Sequence, residues 1–276
     1  MLYVATVHYS SPRWIEIQTK HLRRHLSVPF EIWTSLEGID SSYSSFFDAV
    51  IEQRGPHGGK LNHLALEISH VARDEDLIMF IDGDAFPIAD PMPVVQEALT
   101  RAPLVAVRRA ENLGDPQPHP CFCVTTVGTW RSLPGDWSVA PVWRGVSGRF
   151  VSDVGANLLR ALELSQTPWV QLLRSNGGEL HPLFFAVYAD IVYHHGAGFR
   201  QAALPRTERH RLNAEAGGRR GPARLLRGAL ERVTGSAWQR AVEQGEQRSR
   251  EIFEAILTEE PGWLERVSGG APAAPS

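Results

Sequence analysis

The 276-residue chain predicts an α/β fold, a mostly parallel mixed sheet flanked by helices, and three observations carry that expectation. Strand, helix and strand patterns alternate within the first 35 residues, the βαβ order that a parallel sheet requires. Leu77 to Ile81 (LIMFI) is apolar without alternation, as a strand covered on both faces reads. Just before it, Leu61, Leu64, Ala65, Ile68, Val71 and Ala72 share one helical stripe, the crossover helix that delivers such a strand.

Tyr3 to Tyr9 (YVATVHY) is the first expected strand. Ser11 as N-cap and Pro12 at the first helical position, where a missing N–H costs nothing, open a helix to about Leu26. Pro29 to Thr34 and Phe46 to Ile51 read as the second and third strands. Gly55-Pro56-His57-Gly58-Gly59-Lys60 is a breaker-rich loop ahead of the crossover helix. Another helix opens at Ala89-Asp90-Pro91 and runs to about Arg101, before a buried strand at Leu104 to Val107. Ala110 to Pro120 reads as a long loop and Cys121 to Val127 as β-rich. Residues 128–148 form a semi-ordered cover whose Trp130, Trp137 and Trp143 either staple it or stack on a flat ligand face. Ser152 and Asp153 precede a helix at Val154 to Leu164; Trp169 to Leu173 and Leu183 to Val187 are short apolar segments; Ala189 to His195 is the last strand. After Arg206 come a linker (Ala216 to Pro222), helices at Arg224 to Val233 and Ala237 to Leu257, and a disordered tail.

An apolar fraction of 43% fills a large core, and a net charge of −3 exerts no global pull on nucleic acid, so no such partner is expected. Lysine occurs only at Lys20 and Lys60. Cys121 and Cys123, one residue apart, point to one face if they lie on a strand; the spacing suits neither a disulfide nor a four-ligand zinc site, so free buried thiols in a reducing compartment are expected. The N-terminus lacks a basic start followed by a long apolar stretch, and no segment approaches the roughly 18 apolar residues of a membrane span. A cytoplasmic protein is expected, touching a membrane at most peripherally through the basic stretch Arg219 to Arg232.

The chemistry concentrates at two strand ends. The apolar run stops at Asp82-Gly83-Asp84, and the C-terminal edge of an open α/β sheet is where ligands bind. Gly83 lets the chain turn so that both carboxylates converge on one hard cation, Mg²⁺ or Mn²⁺, instead of pointing to opposite sides of a pleat. A polar turn is the plainer reading of the same three residues. A right-handed crossover brings the N-terminus of the helix after Lys60 to that edge, where free N–H groups and a lysine favour phosphate. At the second strand end, His194-His195-Gly196-Ala197-Gly198-Phe199-Arg200 offers imidazole to complete a carboxylate metal site, glycines for close phosphate approach and a forked guanidinium. Either histidine can serve. Asp153 is first an N-cap and second a candidate carboxylate for acceptor activation.

With Asp82-Gly83-Asp84 after a buried strand and His195 followed by Gly198 and Arg200, the chain over about residues 1–200 resembles GT-A fold glycosyltransferases, closest to the glycogenin-like and bacterial lipooligosaccharide branches. The resemblance implies a metal-dependent transferase moving a sugar from a nucleoside-diphosphate sugar (UDP- or GDP-linked) to a glycan, lipid-linked or small-molecule acceptor. It implies Mn²⁺ or Mg²⁺ on Asp82, Asp84 and His195, Thr6 and His8 flanking the nucleotide, and Lys60, Gly198 and Arg200 near the diphosphate. Asp84 and Asp153 become the catalytic candidates, and His119 to Thr126 would face the acceptor. The implied organisation is a catalytic domain over 1–205, a helical extension over 206–268 and a tail over 269–276. A haloacid-dehalogenase-type phosphatase also places Asp-x-Asp after an apolar strand, though on the domain's first strand and followed by Thr or Val where Ala85 stands here. A non-catalytic nucleotide-sugar or glycan-binding module is the other alternative.

Overall fold

The computed structural model describes residues 1–111, 114–133, 136–139, 143–144, 150–151, 153–176, 185–196 and 237–268. In chain order its elements are β1 (Leu2–Tyr9), α1 (Ile15–His25), β2 (Phe30–Glu37), a 3₁₀ helix (Ser41–Phe46), β3 (Ala49–Val50), α2 (His57–Val71), β4 (Leu77–Asp82), β5 (Ala85–Pro87), α3 (Met92–Arg101), β6 (Leu104–Arg108), β7 (Pro118–Thr126), α4 (Val127–Ser132), β8 (Trp143–Arg144), β9 (Phe150–Val151), α5 (Ala156–Leu164), β10 (Val170–Leu172), β11 (Ala186–Tyr188), β12 (Val192–His194), α6 (Ala237–Leu257) and α7 (Trp263–Ser268). A seven-stranded sheet runs in the order β10-β6-β7-β4-β1-β2-β3. Its pairings are parallel except for β7, which lies antiparallel between β4 and β6. The mixed, mostly parallel sheet flanked by helices is therefore present as expected.

Side-chain alternation divides the core into two layers. Leu2, Val4, Met79 and Ile81 pack with Ile15 and Leu22 of α1 and Val95 and Ala98 of α3. Their strand neighbours Tyr3, Ala5, Val7, Ile78 and Phe80 pack on the other face with Leu61, Leu64 and Ile68 of α2 and Leu158 and Leu162 of α5. Helices on both faces explain why β4 carries no polar alternation: both sets of its side chains leave water, each large one contributing roughly 2 kcal/mol.

Several boundaries move from the expectation, each for a local reason. Helix α1 starts at Ile15 and not Pro12, because Ser10 adopts φ 55° and the Ser11 N–H turns back to Tyr9 O, which uses up the residues expected to cap. Helix α2 starts earlier, at His57, taking in two glycines. A Cβ on Gly58 would stand 2.2 Å from the Trp137 carbonyl oxygen, so only glycine lets the first turn pack there. The third strand shrinks to Ala49–Val50, Phe46 ending the 3₁₀ helix that precedes it.

Strand β7 begins at Pro118, inside the expected loop, and its register with β6 shifts between Ala106 and Val107. This bulge breaks the alternation that would have put Cys121 and Cys123 on one face: Cys121 joins the α1–α3 layer and Cys123 the α2–α5 layer, both free and buried. Trp130 and Trp137 are staples, buried with ring centroids 5.7 Å apart and both against Phe80. The side chain of Trp143, the 216–222 linker, the expected helix at 224–233 with its basic stretch, and the tail lie outside the described residues.

A second, antiparallel sheet runs β11-β12-β5, with a turn at Ala189 and Asp190, both at positive φ, joining its first two strands. Ile252 and Ile256 of α6 and Val267 of α7 pack with Trp14, Phe86 and Tyr193, so these helices cover the small sheet. None of the helices among the described residues is long and apolar enough to cross a membrane.

Two buried imidazoles make this fold sensitive to acid. Burial pushes His8 down to about 4, against the opposing pull of Gln18 and Asp84, and burial, with the nearby His25 and Arg24, pushes His21 down to about 4 as well. In the unfolded chain each returns to 6.5. Because the folded values are depressed, this contribution is complete above pH 6.5 and is lost as pH falls through about 4. Each imidazole contributes on the order of 3 kcal/mol. Urea midpoints measured from pH 7 to pH 4.5 should fall steadily; a flat profile would mean that both rings stay hydrated in the folded chain.

Candidate functional site

The topology gathers several strand ends at one edge. Strands β1, β2, β4 and β6 run the same way, so Tyr9, Glu37, Asp82 and Arg109 emerge together, while the reversed β7 brings its opening residues there. A cavity of about 500 Å³ lies over this edge. Asp82, Gly83, Asp84 and His194 form its centre; Val7, Tyr9, Glu37, His57 and Lys60 wall the β1–β2 side; Arg109, His119, Pro120, Asp153 and Val154 wall the β6–β7 side.

Asp82, Asp84 and His194 each offer a ligand atom, all within 4.8 Å of one another. His194 Nε2 stands 3.4 Å from Asp84 Oδ1 and 3.7 Å from Asp82 Oδ2. Two carboxylates and an imidazole at this spacing fit a hard to borderline divalent cation such as Mg²⁺ or Mn²⁺. The turn that presents the carboxylates depends on glycine: a Cβ at Gly83 would stand 2.5 Å from Val7 O and 2.9 Å from His8 Nδ1. His194 arrives by sheet pairing, since it lies opposite Ala85 in the β12–β5 ladder and the His195 N–H donates to Asp84 O at 3.0 Å.

Beneath the turn sits Gln18 of α1, fully buried. Its Oε1 accepts from Thr6 Oγ1 and His8 Nε2, each at 3.0 Å, and its Nε2 donates to Asp82 O and Ala85 O, each at 2.7 Å. One side chain thus ties β1 and α1 to both ends of the carboxylate turn.

The electrostatics keep the carboxylates ionised. Burial by itself raises Asp82, but the hydrogen bond and charge of His57, whose Nε2 lies 2.9 Å from Oδ1, together with His119 and His194, hold it well below the usual carboxylate range. Asp84 is likewise raised by burial and by Asp82, yet His194 and His195 bring it below its ordinary value. Lys60, almost fully buried, pairs with Glu37 and lies 4.8 Å from the Tyr9 ring centroid. Asp153 Oδ1 accepts the Val154 N–H at 2.8 Å.

Lys60, Asp82, Asp84 and Asp153 therefore meet in one cavity. Of the two histidines it is His194, and not the expected His195, that offers a ligand atom beside Asp82 and Asp84. Neighbours on a strand face opposite ways, so with His194 toward the carboxylates His195 turns into the small-sheet core. There its Nδ1 pairs with Tyr193 Oη at 2.8 Å, its Nε2 with Ser249 Oγ of α6 at 2.7 Å, and its ring lies 4.6 Å from Trp14. Thr6 and His8 also miss the cavity; they face α1 and Gln18, and it is Val7 and Tyr9 that line it. Of His119 to Thr126 only His119 and Pro120 reach the cavity; Cys121 to Thr125 are buried in the core and Thr126 caps α4. Gly198 and Arg200 lie outside the described residues. Sequence reasoning passed over His57 and Arg109. Both had a usable signal: His57 opens a helix whose N-terminus belongs at this edge, and Arg109 follows directly on the end of a parallel strand.

No family model and no curated protein matches the chain. Among solved structures it is similar to TarS from S. aureus (TM-score 0.36, 12% identity, 49% of this chain and 30% of that one). It is similar to the glycosyltransferase GlyE from Streptococcus pneumoniae TIGR4 (0.35, 16%, 47% and 35%). A third is the mannosyltransferase PcManGT from Pyrobaculum calidifontis in complex with GDP-Man and Mn²⁺ (0.36, 15%, 49% and 47%). Each likeness spans about half of this chain or less and under half of the solved one.

Proposed function

We propose that the chain is a cytoplasmic, metal-dependent glycosyltransferase of the GT-A kind, which moves a sugar from a nucleoside-diphosphate sugar to a hydroxyl acceptor. The observation that carries this reading is the meeting of Asp82, Asp84 and His194 at the C-terminal edge of a parallel strand, inside a cavity that Lys60 and Asp153 also line. Asp82, Asp84 and His194 would hold Mn²⁺ or Mg²⁺. When bound, such an ion supplies positive charge where negative charge builds on the departing diphosphate.

The remaining work falls to the chain. His57 and His119 keep Asp82 ionised and aimed, and Gln18 fixes the turn that carries it. The nucleotide lies over the end of β1, between Val7, Tyr9 and the start of α2, with Lys60 beside the phosphates. The acceptor enters from the β6–β7 side. Its oxygen bonds to the anomeric carbon as the bond to the diphosphate oxygen breaks, and its proton passes to the Asp153 carboxylate.

The test is incubation of the full chain with Mn²⁺ and a panel of UDP- and GDP-sugars, followed by chromatography of the released nucleotides. Slow release of nucleoside diphosphate from one donor, stopped by a chelator, is expected. Release of inorganic phosphate alone would favour the phosphatase chemistry, and saturable binding without turnover would favour a binding module.

A further inference from the structure

Arg109 is nine-tenths buried in the cavity wall and belongs to no part of the reaction described above. A guanidinium offers five N–H donors and accepts nothing. Among the described residues no carboxylate comes within ion-pair distance of it, Glu111 and Asp115 acting on its charge only from farther off, and its buried Nε has no partner. Among the described residues its side-chain hydrogen-bond contact, Nη1 to His119 Nε2 at 3.2 Å, is contested, because the Cys121 N–H reaches His119 Nδ1 at 3.1 Å. A neutral imidazole accepts at one nitrogen only, and a protonated one at neither. One of these two donors is therefore left over. The Cys121 amide is fixed in a bulged core strand, whereas the guanidinium faces a space that a ligand can enter. Next to Pro118, which pairs with Arg108, the buried amide of Gln117 also lacks partners at both of its polar atoms.

A buried cation with unmet donors on a ligand cavity is costly unless an anion completes it. The metal-binding carboxylates are one imidazole away, with His119 Nδ1 3.8 Å from Asp82 Oδ2, so Arg109 sits beside the place a diphosphate would occupy and on the opposite wall from Lys60. Asp153 lines the same β6–β7 side. We propose that Arg109 forms a second anion subsite, which takes a carboxylate or phosphate carried by the sugar portion of the substrate. The planar fork suits either group in a two-pronged contact. The placement on the sugar side rests on the transferase reading above; the anion subsite itself does not.

Ligand-observed NMR titration of the full chain in diamagnetic Mg²⁺ with glucose, glucuronate and glucose 6-phosphate tests the proposal directly. At least one of the two acidic sugars should bind roughly tenfold or more tightly than glucose, the difference between the two identifying carboxylate or phosphate as the preferred group. Arg109→Gln should erase that preference, and Arg109→Lys, which keeps the charge and loses the fork, should restore only part of it. Equal binding of all three sugars to the unaltered chain overturns the subsite, as does an Arg109→Gln chain that keeps the preference. A tenfold or greater loss of Mn²⁺-dependent UDP or GDP affinity in Arg109→Gln would overturn it too, because the guanidinium would then be serving the diphosphate. Failure of both nucleotides to bind the unaltered chain counts against the transferase reading and leaves the sugar titration interpretable.

Discussion

Asp84→Ala should lose turnover by roughly 10²–10³-fold while its melting temperature moves by no more than about 3 °C. The asymmetry follows from where the carboxylate stands. Asp84 is buried and shares its surroundings with Asp82, so removing it relieves a like-charge contact at the same time as it forfeits the approach to His194 at 3.4 Å. Those two changes oppose one another in stability. They do not oppose one another in catalysis, because in the proposed metal site a cation left with Asp82 and His194 alone would lose one of its two carboxylates. Nucleotide release and differential scanning fluorimetry on the same preparation measure both quantities. A chain that melts more than about 10 °C lower would assign Asp84 to the scaffold, and one that turns over normally would remove it from the site.

The largest effect on stability is expected at Gln18, a residue that touches no substrate. Gln18→Leu keeps the volume and strands four groups at once: the Thr6 hydroxyl, the His8 Nε2–H, and the carbonyl oxygens of Asp82 and Ala85. A buried polar group left unpaired costs about 1–3 kcal/mol, so the sum is on the order of 4 kcal/mol or more, about 10 °C in melting temperature. Since the two carbonyls bracket the Asp82-Gly83-Asp84 turn, Mn²⁺ affinity should also weaken about 10–100-fold at temperatures where the variant is folded. Calorimetric Mn²⁺ titration beside a melting curve separates the roles. A destabilised chain with unchanged Mn²⁺ affinity would make Gln18 a core hydrogen-bonding residue without influence on the turn.

Both predictions concern residues whose legibility in the sequence differs. Asp84 was visible because an uninterrupted apolar run ends at it, and a strand covered on both faces has one place to put charge. Gln18 was invisible: a glutamine on an amphipathic helix reads as solvated surface, and nothing local says that its four hydrogen-bonding positions meet two strands and a turn. His57 lay between these cases. Breakers around it suggested a loop, yet the helix takes in Gly58 and Gly59, and the Trp137 carbonyl leaves no room for a side chain at position 58.

By itself the sequence determined the alternation of strands and helices, the parallel core and the strand ends that carry acid and imidazole, because apolar periodicity and abrupt polar stops are local properties. The tertiary structure decided which of two adjacent residues serves. At the end of β1 it turned Val7 and Tyr9 to the cavity and Thr6 and His8 to Gln18, and at the end of β12 it turned His194 to the carboxylates and His195 to Tyr193 and Ser249. In a strand successive side chains point to opposite faces, so a reading that finds the right strand end still leaves a choice of two. That choice is made by the neighbouring strand's register and by the helix waiting on each side.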